Sequence, residues 1–278
     1  MVSPASLDHI RSSRSIHNEM QIRDYFRSQS SVLVALSGGV DSTLLAVIAH
    51  AELGPQAHAA VGVSSSLPKK ALQSIRTLCA QYGLKLAELP TAELNNPHYL
   101  KNSPDRCYHC KDELYGQLRD HADALKLETI VDGTHSEDLK GHRPGYAAGQ
   151  KWQIESPFVD LAMDKEQIRE LANDLSLPNH AAPSSPCLSS RIAYGVPVTP
   201  ERLALVEASE RYIRSLGFPR VRVRLHGPIA RVEVPKAQLS ELAAKGHSIE
   251  QTLRSLGFTY VTLDLGGYRS GSLLEVLN

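Results

Sequence analysis

The sequence carries no net charge: across 278 residues, 30 Lys and Arg stand against 30 Asp and Glu. A balanced chain has no global field to attract a polyanion or an anionic lipid surface, so neither nucleic acid nor membrane is an expected partner, though a local patch is not excluded. Apolar runs of membrane-spanning length are missing, and the N-terminus lacks the apolar core of a signal peptide. Both absences set the expectation of a cytoplasmic protein. Cysteine is scarce, with four residues in all. In a reducing compartment so few thiols point to ligands, nucleophiles or core fillers, and not to a disulfide framework. Internal repeats, low-complexity tracts and the GxxxxGK[ST] phosphate loop are also missing. The length suits one large or two modest domains with a substantial core.

What is present is concentrated in Val32 to Thr43, VLVALSGGVDST. An apolar, β-branched run suits a strand buried on both faces of a parallel sheet, and the helix-like STLLAVIAHAEL follows it at once. Between them Ser37, Gly38, Gly39, Val40, Asp41 and Ser42 turn the chain. The first turn of a helix has unpaired N–H groups and the positive end of the dipole, so a phosphate fits there. Gly38 and Gly39 allow close backbone approach, while Ser37, Ser42 and Thr43 add hydroxyls. A glycine-rich structural turn is the alternative. The hexamer matches SGGxDS and resembles the pyrophosphate loop of the N-type ATP pyrophosphatases. That resemblance implies ATP cleavage between the α and β phosphates, adenylation of a substrate, and pyrophosphate left on Ser37, Gly38, Gly39, Asp41 and Ser42.

The flanking pattern alternates strand and helix. A helical stripe over Ile16 to Ser28 precedes the first strand; strands are expected at Ala59 to Ser65, Lys85 to Leu89 and Thr129 to Gly133. Helices are expected at Pro68 to Tyr82, from Cys107 to about Lys126, and at Asp164 to Leu175, with Lys165 near its start. The fold class is therefore α/β, a doubly wound parallel sheet with ligands at the carboxyl ends of its strands. Thr134 to Gly149, containing Asp138, Arg143, Pro144 and Gly145, has little periodicity and reads as a functional loop. After residue 195 the pattern changes to a small α+β domain: a helix at Pro200 to Leu216, a hairpin around His226-Gly227-Pro228, two helices, and a strand at Tyr260 to Leu265. The expected organisation is a loose tail over 1–15, a nucleotide domain over 16–195 and a C-terminal substrate or oligomerisation domain over 196–278.

Cys107 and Cys110 form a CxxC at a helix start, where dipole and N–H groups lower thiol pKa. Such a pair can be redox-active, metal-binding or incidental, and a zinc site completed by His109 is one option. Cys187 lies in a Pro/Ser-rich loop. Cys79 sits among Ile75, Leu78 and Tyr82 as a core filler. SSPCLSSRIAYG, RVRLHGPIARVEV and LGGYRSGSLLE resemble the LarE family over nearly the whole chain from Ile16.

That resemblance implies an ATP-dependent sulfur transferase of nickel-pincer nucleotide biosynthesis, converting carboxylates of pyridinium-3,5-biscarboxylic acid mononucleotide to thiocarboxylates through an acyl adenylate. It implies ATP, Mg²⁺ and a [4Fe-4S] cluster on Cys107, Cys110 and Cys187, whose open iron carries sulfide from a donor of unknown identity. The other family route sacrifices the Cys187 sulfur and leaves dehydroalanine. Asp41 is the expected organiser of metal and pyrophosphate, with a helix-capping role as the plain alternative. Ser190 and Arg191 fall at the substrate and phosphate site, where an arginine fork suits phosphate or carboxylate. Glu210, Arg222 and Glu233 match substrate or metal positions, with Arg224 and Arg231 beside them; a solvated sheet face is the alternative for Arg222 and Arg224. Arg269, Ser270 and Ser272 are candidates for a phosphate, or simply for a turn. A homo-oligomer, possibly a hexamer, is implied by the same analogy. The chain departs from the family at Asn179-His180-Ala181-Ala182-Pro183, where Trp-Asp-Lys-Pro-Ala is common, and His135 stands where an amide is expected. An amide-forming ligase like NAD synthetase, a tRNA thiolation enzyme and a non-catalytic nucleotide-binding module are the competing readings.

Overall fold

The computed structural model describes residues 11–140, 144–183, 186–269 and 271–277. In chain order the first elements are α1 (Ser13–Arg27), β1 (Val32–Ala35), α2 (Val40–Leu53), β2 (Ala57–Val63), α3 (Lys69–Tyr82) and β3 (Lys85–Pro90). There follow α4 (Pro97–Leu100), α5 (Arg106–Leu125), β4 (Thr129–Val131), α6 (Pro144–Lys151), α7 (Pro157–Asp160) and α8 (Lys165–Asp174). The last group is α9 (Pro200–Ser215), β5 (Arg222–His226), β6 (Ile229–Glu233), α10 (Leu239–Ala244), α11 (Gly246–Leu256) and β7 (Tyr260–Leu263). None of the described helices is long and apolar enough to cross a membrane.

Two compact units divide these elements. The described parts of Met1–Gly62, Lys70–Leu89 and Leu114–Ser185 make the first, and those of Val63–Lys69, Pro90–Glu113 and Pro186–Asn278 the second. The segments after β2 and β3, with the start of α5, thus group with the C-terminal part, which a single boundary near residue 196 does not express.

In the first unit β1 pairs in parallel with β2 on one side and β4 on the other, giving the strand order β3-β2-β1-β4. Val32, Leu33 and Val34 are at most 1% exposed, as a strand covered on both faces requires. Because the order reverses at β1, the loop leaving its carboxyl end opens at a topological switch point. Helix α1 packs on α2 and α8, burying Ile22 and Phe26 with Leu44, Leu45, Ile48, Ile168 and Leu171. Full burial of each such side chain contributes about 1.5–3 kcal/mol. Local signals set the helix ends: Ser12 caps α1 by accepting the Ser15 N–H, and Asp164 with Gln167 closes a capping box on α8.

Two stretches differ from expectation. Helix α1 starts at Ser13, inside the stretch expected to be loose, while residues 1–10 lie outside the described residues. Residues 134–149 hold a 3-10 turn, Ser136–Lys140, and helix α6, where an irregular loop was expected. Ala148 and Gly149 are the buried residues of α6, and small residues bury a helix face without drawing an apolar stripe. Arg143 lies outside the described residues.

In the second unit β5 and β6 form the expected hairpin, His226 facing Ile229 across Gly227-Pro228, and β7 joins β6 in parallel. Thr199 caps α9, with Pro200 in its first turn. Val206, Ile213, Phe218, Val223, Val232 and Leu253 form its core at no more than 2% exposure.

Candidate functional site

The first constellation is the turn between β1 and α2. Gly38 has φ +77°, and a Cβ there would stand 2.7 Å from Ile75 Cγ1. Glycine is required on both counts. The loop is tied internally: Ser42 Oγ accepts the Ser37 N–H at 3.1 Å, the Ser37 and Ser42 hydroxyls are 3.0 Å apart, and Gly39 N–H donates to Ser37 Oγ at 3.4 Å. Gly39 occupies the N-cap without a side-chain partner, so Asp41 is not the cap; it stands in the first turn. Its carboxylate receives Lys165 Nζ, at 2.5 Å from Oδ2. Both side chains retain some exposure, 20% for Asp41 and 27% for Lys165.

Two further residues fix this loop. Asn179 Nδ2 donates to Gly38 O at 3.1 Å and to Thr43 Oγ1 at 3.0 Å, clamping the turn to the first helical residues. Gly133, just after β4, backs onto α2: a Cβ would lie 2.8 Å from Ser42 N and 3.1 Å from Asp41 C. Those are backbone atoms and cannot step aside. Gly133→Ala is therefore expected to cost about 1–3 kcal/mol and to weaken ATP binding by displacing the first turn of α2. Thermal melts with and without ATP check this, and an unchanged melting temperature would refute the close approach. Nearby in sequence, the His135 ring is buried with Nε2 3.4 Å from Asp138 Oδ2. Nothing in the structure explains the change from an amide.

The second constellation belongs to the second unit. Cys107 is exposed, while Cys110 and Cys187 are partly buried. Contrary to the helix-start argument, burial pushes the Cys110 thiol up, and negative charge on Cys187, Glu93 and Cys107 adds to the rise. The start of α5, with Cys107 and Cys110, meets the Cys187 loop: Cys110 packs against the apolar cluster that holds Leu188. Buried Arg106 directly precedes Cys107: burial opposes its charge, but negative charge on Cys187 and then Cys107 contributes to an upward shift. Its guanidinium donates to Ser189 O at 2.9 Å. Tyr99, fully buried, shares a 2.6 Å hydrogen bond with the Ser189 hydroxyl. Among the described residues no three His, Cys, Asp or Glu side chains converge on a single-ion site. What fits an iron-sulfur group is the chemistry of the donors, three thiols on the α5 start and the Cys187 loop, which the Arg106 hydrogen bond to Ser189 O ties together. Cys79 is buried, with its thiol pushed up to about 11, as a core filler should be.

Arg191 is 1% exposed and is not a free fork. Its Nε donates to Glu210 Oε1 at 3.0 Å, and its Nη1 donates to Cys187 O at 3.0 Å and to Ser190 Oγ at 3.0 Å. Ser190 Oγ donates to Cys187 O at 2.7 Å. Both side chains therefore hold the Cys187 loop. Glu210 also receives Arg214 and the Val223 N–H. Burial alone would raise its pKa, but Arg191, then Arg214 and Arg222, bring it below the ordinary value. Glu233, with no exposure, receives Arg224 at 2.8 Å, Arg231 at 3.1 Å and the Ser272 hydroxyl at 2.7 Å. Arg222 and Arg224 are 8% and 6% exposed, so the solvated-face alternative does not hold. Arg222 stacks its guanidinium 5.5 Å from the Tyr268 ring centroid. Arg269 pairs with Glu275 at 2.8 Å and Asp264 at 3.3 Å, which occupies the candidate phosphate donor. Ser270 lies outside the described residues. Sequence reasoning does not single out Lys165, Asn179, Gly133 or Arg106 as site residues; for Lys165 the available signal is its place near a helix start after the fourth strand.

A glycine turn tied this way at the carboxyl end of a central parallel strand defines an ATP-using enzyme of the PP-loop class, and residues 15–189 match the NAD synthase family. Over 247 residues the chain is 37% identical to the pyridinium-3,5-bisthiocarboxylic acid mononucleotide synthase of Lactiplantibacillus plantarum, covering 88% of this chain and 90% of that one. An uncharacterized protein of Synechocystis sp. is 39% identical over 92% of this chain and 96% of its own. The glutamine-hydrolyzing GMP synthase of Symbiobacterium thermophilum is 26% identical over 65% of this chain and 38% of its own. The chain belongs to the LarE family of PP-loop sulfur transferases.

Proposed function

We propose that the chain converts the carboxylates of pyridinium-3,5-biscarboxylic acid mononucleotide to thiocarboxylates, with an iron-sulfur cluster as the immediate sulfur source. The observation that carries this reading is that the start of α5, with Cys107 and Cys110, is held against the Cys187 loop by the Arg106 hydrogen bond to Ser189 O and by the apolar cluster that Cys110 shares with Leu188, in a chain 37% identical to the Lactiplantibacillus plantarum synthase. A substrate carboxylate attacks the α-phosphorus of ATP, giving an acyl adenylate and pyrophosphate; a sulfur nucleophile then displaces AMP. Gly38, Gly39 and the hydroxyls of Ser37 and Ser42 receive the pyrophosphate at the start of α2. Asp41 would hold Mg²⁺, which needs only one or two carboxylates in addition to phosphate oxygens and water. Its partly exposed carboxylate suits that role. Cys107, Cys110 and Cys187 would hold a [4Fe-4S] cluster, which supplies a replenishable sulfide. Ser190 and Arg191 act through the Cys187 loop, Glu210 and Glu233 set the arginines, and Arg222 offers its charge to the mononucleotide. Assembly into a homo-oligomer, possibly a hexamer, belongs to the same proposal.

Iron and acid-labile sulfide in protein purified without oxygen test the sulfur source. About four of each per chain are expected for a cubane, lost in Cys107→Ala, with turnover continuing as long as sulfide is supplied. Absence of both from the wild type, with conversion of Cys187 to dehydroalanine on turnover, would replace the cluster by sacrificial transfer.

A further inference from the structure

Two segments of the second unit carry the three thiols, and one asparagine joins them. Asn102 ends the turn after α4, shortly before Arg106, and is fully buried. Its Nδ2 donates to three carbonyls of the chain beyond Cys187: Ala193 O at 2.8 Å, Val196 O at 2.8 Å and Ile192 O at 3.2 Å. Its Oδ1 accepts Arg106 Nη1, which also donates to Ser189 O at 2.9 Å. Backbone bonds run beside these, from Gly195 N–H to Asn102 O at 3.2 Å and from Val198 N–H to Leu100 O at 3.0 Å.

The backbone makes the choice of residue informative. Asn102 has φ +56°, a left-handed conformation where glycine is the default and asparagine is tolerated. Glycine would serve the turn, but only the amide reaches the carbonyls beyond Cys187. Bonds to main-chain carbonyls fix the path of a chain, so those at Ser189, Ile192, Ala193 and Val196 set the Cys187 loop in register with the start of α5. Cys107 follows Arg106 directly, and Cys187 stands just before Leu188 and Ser189. Both side-chain polar atoms of Asn102 are engaged at this junction.

We propose that Asn102 is a positioning residue for the sulfur site: with Arg106 it locks the Cys187 loop to the start of α5 independently of any metal, so that a frame built by the chain itself presents the thiols. This rests on the cluster reading above. A group bound between two untied segments would also have to order them, and that ordering would subtract from its binding. Residues that orient ligands without touching the metal typically matter 10- to 100-fold for its affinity. Asn102 makes no bond to the cluster; it acts through the two segments.

The test compares wild type with Asn102→Gly, which keeps the left-handed turn free of strain and removes the side chain alone. Arg106→Gln, the double variant and Val206→Ala complete the set; the last opens a cavity in the core of the same unit and leaves the junction intact. Each protein is loaded anaerobically with ferrous iron and sulfide, freed of excess and exposed to a ferrous chelator. Iron release is followed by loss of the cluster's visible absorption, and the unloaded proteins are melted in parallel. Asn102→Gly and Arg106→Gln are expected to release iron on the order of 10- to 100-fold faster than wild type. The double variant should be no faster than the worse single, as for two parts of one lock; effects that multiply would overturn the shared frame. Val206→Ala should lower the melting temperature and keep the wild-type release rate. Wild-type release from Asn102→Gly would overturn the proposal, as would equally fast release from Val206→Ala, since stability alone would then set the rate. Should Asn102→Gly fail to fold, wild-type release from Arg106→Gln overturns it instead. A wild type that takes up no iron overturns the cluster reading itself, and the proposal with it.

Discussion

Lys165→Met is expected to lower kcat/KM for ATP-dependent pyrophosphate release by roughly 10²–10³, the cost of removing one charged donor aimed at developing oxyanion charge. In the structure Lys165 Nζ reaches both carboxylate oxygens of Asp41, with 2.5 Å to Oδ2. Asp41 is also the residue proposed for Mg²⁺. Mg²⁺ held there would compete for the same oxygens and leave the Lys165 ammonium to pair with phosphate. Lysine suits that exchange because its compact charge sits on a flexible stem and is not locked into a bidentate fork. If Lys165 served only to neutralise Asp41 in the resting enzyme, Lys165→Met would change stability and leave pyrophosphate release at the wild-type rate. Asp41→Asn separates the roles further: it frees the lysine but removes the carboxylate proposed for Mg²⁺, so its loss should be relieved in part by raised Mg²⁺, whereas the Lys165→Met loss should not.

The pyrophosphate loop was legible because its signal is local. A β-branched run, paired glycines and a helical stripe lie close together in sequence, and β1, the turn and α2 follow in that order. Partners distant in sequence carried no such signal. Lys165 and Asp41 are 124 positions apart, and Asn179 reaches Gly38 over 141. The burial of Arg222 and Arg224 was invisible for the same reason: strand alternation puts them on one face, but the acids that allow a buried face, Glu210 and Glu233, come from α9 and β6. Cys110 shows the limit of a local argument from the other side. Its place in the first turns of α5 favours a thiolate, yet burial by the packing around it pushes the thiol pKa up.

The same buried acids give the largest expected effect on stability. Glu210→Gln should destabilise the second unit by about 3–5 kcal/mol, because removing one partner of a buried ion pair leaves the other charge uncompensated. Here that charge is Arg191, 1% exposed, whose displacement would also release the Cys187 loop it holds. The paired change Glu210→Met with Arg191→Met should cost less than Glu210→Gln alone, since an apolar pair of similar volume leaves no unpaired charge between those two positions. The acid dependence follows from the depressed pKa of Glu210. As pH falls, the unfolded chain takes up the proton first, so the carboxylate's contribution is complete above its ordinary value of 4.5 and is lost as the pH drops through the lower folded value. Denaturant unfolding of wild type and Glu210→Gln between neutral pH and about pH 3 reads both effects: the gap between the two curves should be widest near neutrality and close toward the acid end. A constant gap would mean that Glu210 acts through its shape and hydrogen bonds and not through its charge.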